Sequence, residues 1–149
     1  MIKKLKRITV YLMALFYTFV GVTHFTNPDF FLVIVPPYIP SADLAVYVSG
    51  VFEILFGLLL LFNKTRKYSA YGLVLLLIAV FPANLYLYES AEAQAAFGIT
   101  AQQALIRLPF QLPLILIALW HSEENSSKVF DWSCLMLFIP TFIYFISLG

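Results

Sequence analysis

Ser49-Gly50-Val51-Phe52-Glu53-Ile54-Leu55-Phe56-Gly57 lies in the middle of an apolar run from about Ala42 to Phe62. A run of about 20 mostly apolar residues is the length an α-helix needs to cross a bilayer. One carboxylate stands inside it. A charge near mid-bilayer costs roughly 2.5–3.5 kcal/mol on insertion scales. Gly50, Glu53 and Gly57 fall at i, i+3 and i+7, along one stripe of a helix. Small residues on that stripe let a neighbouring backbone come close. The spacing therefore turns Glu53 toward protein and away from lipid, and the stretch reads as a packed transmembrane helix carrying a buried polar group.

Four further stretches read as spans: Ile8 to Phe25, Tyr68 to Tyr88, Gln103 to Trp120, and Val129 to Leu148 with Pro140 inside it. Membrane helices tolerate such a proline, and it can kink the span. The fold predicted is all-α: a polytopic membrane helical bundle forming a single domain over residues 1–149. Its four-helix core covers about 8–120, and a fifth, C-terminal transmembrane helix covers about 129–148. Composition agrees, with 62% hydrophobic and 11% charged residues and a mean hydropathy of +0.89. A soluble domain averages about 45–50% apolar and about 25% charged. The net charge is only +1 and the basic residues sit in short clusters beside apolar spans, which does not point to nucleic acid. The single cysteine, Cys134, excludes an intrachain disulfide and a Cys-x-x-Cys redox pair. Lys3-Lys4-Leu5-Lys6-Arg7 resembles the start of a signal peptide, but the apolar run after it is long and no small-residue cleavage site follows, so it reads as the flank of a first transmembrane helix.

The connections carry the topology. Lys3, Lys4, Lys6 and Arg7 precede the first span, Lys64, Arg66 and Lys67 join the second to the third, and Lys128 precedes the fifth. The connections around Asp29, Asp43, Glu89 and Glu92 hold no Lys or Arg. The positive-inside rule then predicts a cytoplasmic N-terminus and an exterior C-terminus after five spans. Glu89 to Ala101 reads as an outer loop. Asn27 to Pro40, with Phe30, Phe31, Ile34, Val35, Pro36 and Pro37, is too apolar for a solvated loop and too proline-rich to span. It reads as an interfacial lid, one helical turn opened by Pro28 and capped by the Asn27 side chain. Its apolar residues are expected to pack back onto the bundle, because left in water they would form a sticky patch. Tyr38, Tyr47, Tyr86 and Tyr88 suit an outer aromatic belt.

In that topology the in-membrane polar residues converge on the outer half. His24 ends the first span. Glu53 lies about 16 Å along the second from its outer end, at 1.5 Å per residue. Asn84 follows Phe81-Pro82-Ala83, and Arg107 and Gln111 are one turn apart on the fourth span. Pro82, Pro109 and Pro113 each free a backbone carbonyl beside these groups, and loosened helices near polar side chains are where membrane proteins build sites. Glu53 and Arg107 are expected to pair. Three uses fit: a structural ion pair with His24, Asn84 and Gln111 as its hydrogen-bonding shell; a ligand pocket with the pair at its floor, lined by Phe52, Phe81 and Phe110; or proton or electron chemistry. His24 and His121 fall at opposite ends, which argues against a shared metal site. The chain has no Cys/His cluster, phosphate loop or nucleophile elbow, so no catalytic set is assigned.

Gly21-x-x-His24-Phe25-x-x-Pro28-x-x-Phe31, Ile34-Val35-Pro36-Pro37-Tyr38, Ser49-Gly50-x-x-Glu53-x-x-x-Gly57, Phe81-Pro82-Ala83-Asn84 and Arg107-x-Pro109-x-Gln111 together resemble the DoxX-like family of small bacterial membrane proteins. The resemblance runs from Ile8 to about Trp120 and implies a four-helix membrane bundle. Its wider superfamily includes the small subunit of a thiosulfate:quinone oxidoreductase, a methylamine-utilisation maturation protein and a eukaryotic receptor-assembly chaperone. Those functions differ, and a fold analogy does not choose among them. The fifth span departs from the four-span pattern and suits a cover for the bundle or an oligomer contact.

The leading expectation is a membrane protein that binds an amphipathic ligand, a quinone or a lipid. Its polar head would sit near His24, Glu53, Asn84, Arg107 and Gln111. A redox role would then be that of a membrane subunit, since no cofactor ligand set is visible. The competing expectation is a non-enzymatic assembly factor holding a client membrane protein. Partners to look for are membrane lipid, a quinone, a protein partner or a second copy of the chain.

Overall fold

The computed structural model describes residues 1–147. They form α1 (Ile2–Thr26), α2 (Pro28–Leu32), α3 (Ala42–Leu60), α4 (Asn63–Glu89), α5 (Ala91–Phe97), α6 (Ala101–Ser122) and α7 (Lys128–Ser147), with no strand among the described residues. Five of them, α1, α3, α4, α6 and α7, are long and apolar enough to cross a membrane. They correspond to the five spans read from the sequence; the final residue of the fifth, Leu148, lies outside the described residues. α1 and α4 begin several residues earlier than their apolar runs, because Lys3, Lys4, Lys6 and Arg7, and likewise Lys64, Arg66 and Lys67, are good helix formers that extend the helices past the hydrocarbon. Pro82, Pro109, Pro113 and Pro140 all lie inside helices that continue through them.

Lipid tails are as apolar as leucine, so the bundle cannot rely on the hydrophobic effect between helices and depends on close packing and hydrogen bonds. α1 crosses α3 at glycines. A Cβ on Gly50 would stand 2.6 Å from the Cβ of His24, and one on Gly57 would stand 2.6 Å from Thr18 Oγ1. The stripe of Gly50, Glu53 and Gly57 therefore faces α1, as its spacing predicts. α3 continues onto α4, α4 packs on α6, and α7 covers α6 and part of α1. Val10, Met13, Leu73, Leu77, Ile117 and Phe138 lie among the buried residues of the central core.

Glu89 to Ala101 is not simply a loop. Ala91-Glu92-Ala93-Gln94-Ala95-Ala96 has high helix propensity. The Ser90 hydroxyl accepts from the Ala93 amide at its start, and Gly98, at φ 66°, ends it. Thr100 and Gln103 form a reciprocal cap on α6. The lid forms its single short helix at Pro28, but Asn27 starts it without a side-chain hydrogen bond, a correction to the expected cap. Proline at the first position lacks the N–H and is preset in φ, which already favours the turn.

The lid is packed. Phe31 stacks on His24 with ring centroids 3.6 Å apart, and Phe30 stacks on Phe97 of α5 at 4.1 Å. Ile34 joins a second buried cluster of Leu87, Ala93 and Ala104. Pro36 is among the most deeply buried side chains. Of the four belt tyrosines, Tyr38, Tyr47 and Tyr88 are exposed, whereas Tyr86 packs against the second cluster.

Candidate functional site

The five polar residues singled out by the sequence form two couples and a lone cation. Glu53, on α3, lies level with Tyr17 to Gly21 of α1, between the Gly50 and Gly57 crossings. Its Oε2 is 3.4 Å from His24 Nδ1, with both side chains nearly buried. His24 Nδ1 also lies 2.9 Å from the carbonyl of Val20, one turn back on its own helix. That carbonyl fixes the ring, and Phe31 closes over its face. Asn84 and Gln111 form the second couple, between α4 and α6. Asn84 Nδ2 donates to Gln111 Oε1 at 3.0 Å, and Gln111 Nε2 donates to the carbonyl of Leu77. That carbonyl neighbours the one Pro82 leaves without its helical donor.

Arg107 is not paired with Glu53, which corrects the expected ion pair. Among the described residues two acid–base side-chain pairs lie within 4 Å, His24–Glu53 and Lys6–Asp131. The physical reason is adjacency: α3 packs on α1 and α4, α6 packs on α4 and α7, and α3 and α6 share no packed interface. Arg107 instead lies over aromatic rings, with Cζ 5.7 Å from the Phe97 centroid and 5.8 Å from that of Phe145. A cation over a ring gains about 0.5–2 kcal/mol, which offsets only part of the cost of holding a guanidinium within a span. Its side chain makes no hydrogen bond to any described residue, and its Nε is buried without a partner.

Two other buried atoms share that condition: Glu53 Oε2 and Tyr17 Oη. Tyr17 is only 4% exposed. A buried polar group without a partner costs about 1–3 kcal/mol, and such groups are few in native proteins. Here three of them lie on three polar side chains in the lid half of the bundle. Rings connect the two sides of that half: Phe31 stacks on His24 and meets Phe30 edge-on, Phe30 stacks on Phe97, and Phe97 lies under Arg107. The three aromatics expected to line one pocket do not meet. Phe52 stacks on Phe56 of its own helix, Phe110 stacks on Tyr144 of α7 at 4.1 Å, and Phe81 is 41% exposed.

Sequence reading missed a polar network at the opposite, basic end. Asp131, in the first turn of α7, accepts from Trp120 Nε1 at 2.6 Å and Ser126 Oγ at 2.5 Å. Lys6 Nζ lies 3.9 Å from the same carboxylate and donates to the Glu123 carbonyl at 2.6 Å and to Ser126 Oγ at 3.1 Å. Thr9 Oγ1 lies 3.0 Å from His121 Nε2, where both side chains are buried. The signal was there in Asp131, an acid just inside a span, and in the amphipathic Trp120 at the end of another. His24 and His121 do lie at opposite ends, and no group of three His, Cys, Asp or Glu side chains among the described residues could hold a metal ion.

The chain belongs to the family described as Domain of unknown function (DUF8561), which matches residues 13–122. The matched stretch begins within α1, ends with α6 and so contains every residue of the lid-end site, while α7 lies beyond it. No curated protein and no solved structure matches the chain.

Proposed function

We propose that the lid half of this bundle binds the polar head of an amphipathic ligand, a quinone or a lipid, in a bacterial cytoplasmic membrane whose cytoplasmic face meets the basic end. The observation that carries this reading is the set of buried atoms without a hydrogen bond, Tyr17 Oη, Glu53 Oε2 and Arg107 Nε. Each is a hydrogen-bonding group held dry at a cost, and a ligand would offset that cost.

The chemistry suits such a head. The Glu53 carboxylate accepts from a hydroxyl, as a quinol or a glycerol headgroup would offer. The Tyr17 hydroxyl and the His24 ring donate to a carbonyl or accept from a hydroxyl. The Arg107 guanidinium, flanked by Phe97 and Phe145, takes an anionic oxygen. Asn84 and Gln111 support the site by joining α4 to α6. The resemblance to the DoxX-like family, with a quinone-reducing complex among its wider relatives, is consistent with a quinone and with a role as a membrane subunit of a redox system.

Purification in mild detergent, followed by solvent extraction and native mass spectrometry, tests the proposal. Wild-type protein should carry a quinone or a defined lipid near one per chain, and Glu53→Gln, Tyr17→Phe and Arg107→Gln should each reduce retention. An empty wild-type protein, or variants that retain ligand equally well, would refute it. A stoichiometric protein partner in place of a ligand would favour an assembly factor.

A further inference from the structure

A cavity of about 560 Å³ opens at the basic end of the bundle, away from the lid-end site. Its size falls in the range of small-molecule sites, about 300–1,000 Å³. Lys3, Lys6 and Arg7 reach it from α1, and Arg66 and Lys67 reach it from α4. Glu123 and Glu124 are the acidic side chains on its wall, so the lining carries an excess of three positive charges.

These cations are not equivalent. Lys6 is engaged by Asp131, Ser126 and the Glu123 carbonyl. Arg66 caps the end of α3, donating to the carbonyls of Leu60 at 2.9 Å and Leu61 at 3.5 Å. Lys3, Arg7 and Lys67 make no side-chain hydrogen bond or ion pair with any described residue, so three cations from two helices face the cavity uncommitted. Asn63, the first residue of α4, also lines it. α4 has 27 residues, and its N-terminus has no side-chain cap. Its first amide groups and its dipole therefore favour an anion at the same place. Buried Val10 and His121 form an uncharged part of the lining.

We propose that this cavity binds a phosphate group, on an anionic phospholipid of the adjoining leaflet or on a soluble phosphorylated molecule. Free cations, an uncapped long helix and a half-open cavity coincide there. A merely topological basic flank needs the charges but no cavity, and it would not distinguish Arg7 and Lys67 from their neighbours. Lys4 and Lys64 carry the same charge at the same end but do not line the cavity, and they provide the control.

The test is native mass spectrometry of the purified, detergent-solubilised full chain, titrated with phosphatidylglycerol or phosphatidylcholine. Parallel thermal scans use inorganic phosphate. Wild type should prefer phosphatidylglycerol, and Arg7→Gln/Lys67→Gln should weaken it by roughly tenfold or more, each cation at an anionic headgroup being worth about fivefold. Lys4→Gln/Lys64→Gln should leave the affinity unchanged. Stabilisation by inorganic phosphate and competition with phosphatidylglycerol would assign the site to a soluble phosphate compound; a preference for the lipid without either would assign it to a headgroup. Equal binding of both lipids with no effect of phosphate would overturn the proposal, as would equal losses in the two double variants.

Discussion

Asp131 and Glu53 are both carboxylates held between helices, with side chains 10% and 12% exposed. Asp131 accepts two short hydrogen bonds, from Trp120 and Ser126, and faces Lys6. Glu53 faces His24 at 3.4 Å and keeps one oxygen without a hydrogen bond. Side-chain exposure is nearly the same although Glu53 lies deeper in the bundle, and what separates the two is the supply of donors. At the basic end α1, α6 and the α6–α7 connection bring donors to one carboxylate on α7, and the result ties α1, α6 and α7 together. At the lid end the fold brings a carboxyl, a phenol and a guanidinium into dry surroundings and leaves an atom of each without a hydrogen bond. The first arrangement reads as structure, the second as a site.

The largest effect is expected from breaking the satisfied cluster. Asp131→Asn removes the charge opposite Lys6 and weakens two charge-assisted hydrogen bonds, and should lower stability by about 3 kcal/mol. Unfolding in a mixed-micelle denaturant titration measures this. A loss below about 1 kcal/mol would reduce that network to a surface decoration.

Gly50→Ala attacks the scaffold of the other cluster. The new methyl group would meet His24 Cβ at 2.6 Å, so α1 and α3 must separate, at a cost of about 1–3 kcal/mol. His24 and Glu53 should part as well, and histidine modification by diethylpyrocarbonate should speed up. Unchanged stability would mean that the helices do not cross as closely as the glycine stripe requires.

Those glycines also show how far the sequence could be read. Span length and apolarity set the five long helices, since few other structures satisfy every backbone group in lipid. The spacing of Gly50, Glu53 and Gly57 turned Glu53 inward, and Pro28 placed the lid helix. The partner of Glu53 was not legible. Periodicity tells which face of one helix is buried, but not which neighbour covers it, so opposite charge pointed to Arg107, whereas α3 packs on α1 and brings His24 instead. Tyr17 and Asp131 were missed for a related reason: a phenol in an apolar run and an acid at a helix start look ordinary until burial and missing or matched partners are known.

Smaller effects sharpen the contrast. Asn84→Ala should cost about 1 kcal/mol by removing the link to Gln111, and the same titration reads it. Phe31→Ala should cost about 1 kcal/mol through its lost stacking and should expose His24. Faster modification of His24 with little further change in unfolding would identify the lid as a cover, whereas an unchanged modification rate would show that Phe31 does not shield the ring.

The smallest stability change is expected at Glu53, and it bears most directly on the distinction between the two carboxylates. Glu53→Gln keeps the shape and leaves an amide beside His24 while removing a buried carboxyl whose Oε2 makes no hydrogen bond, so its effect should be neutral or stabilising. The measurement is the unfolding of ligand-free wild type, Asp131→Asn and Glu53→Gln side by side in one mixed-micelle titration. The account predicts that Asp131→Asn unfolds well before wild type and that Glu53→Gln unfolds with it or after it. A Glu53→Gln protein that unfolds as early as Asp131→Asn would contradict the account, because the lid-end carboxylate would then be as structural as the one at the basic end.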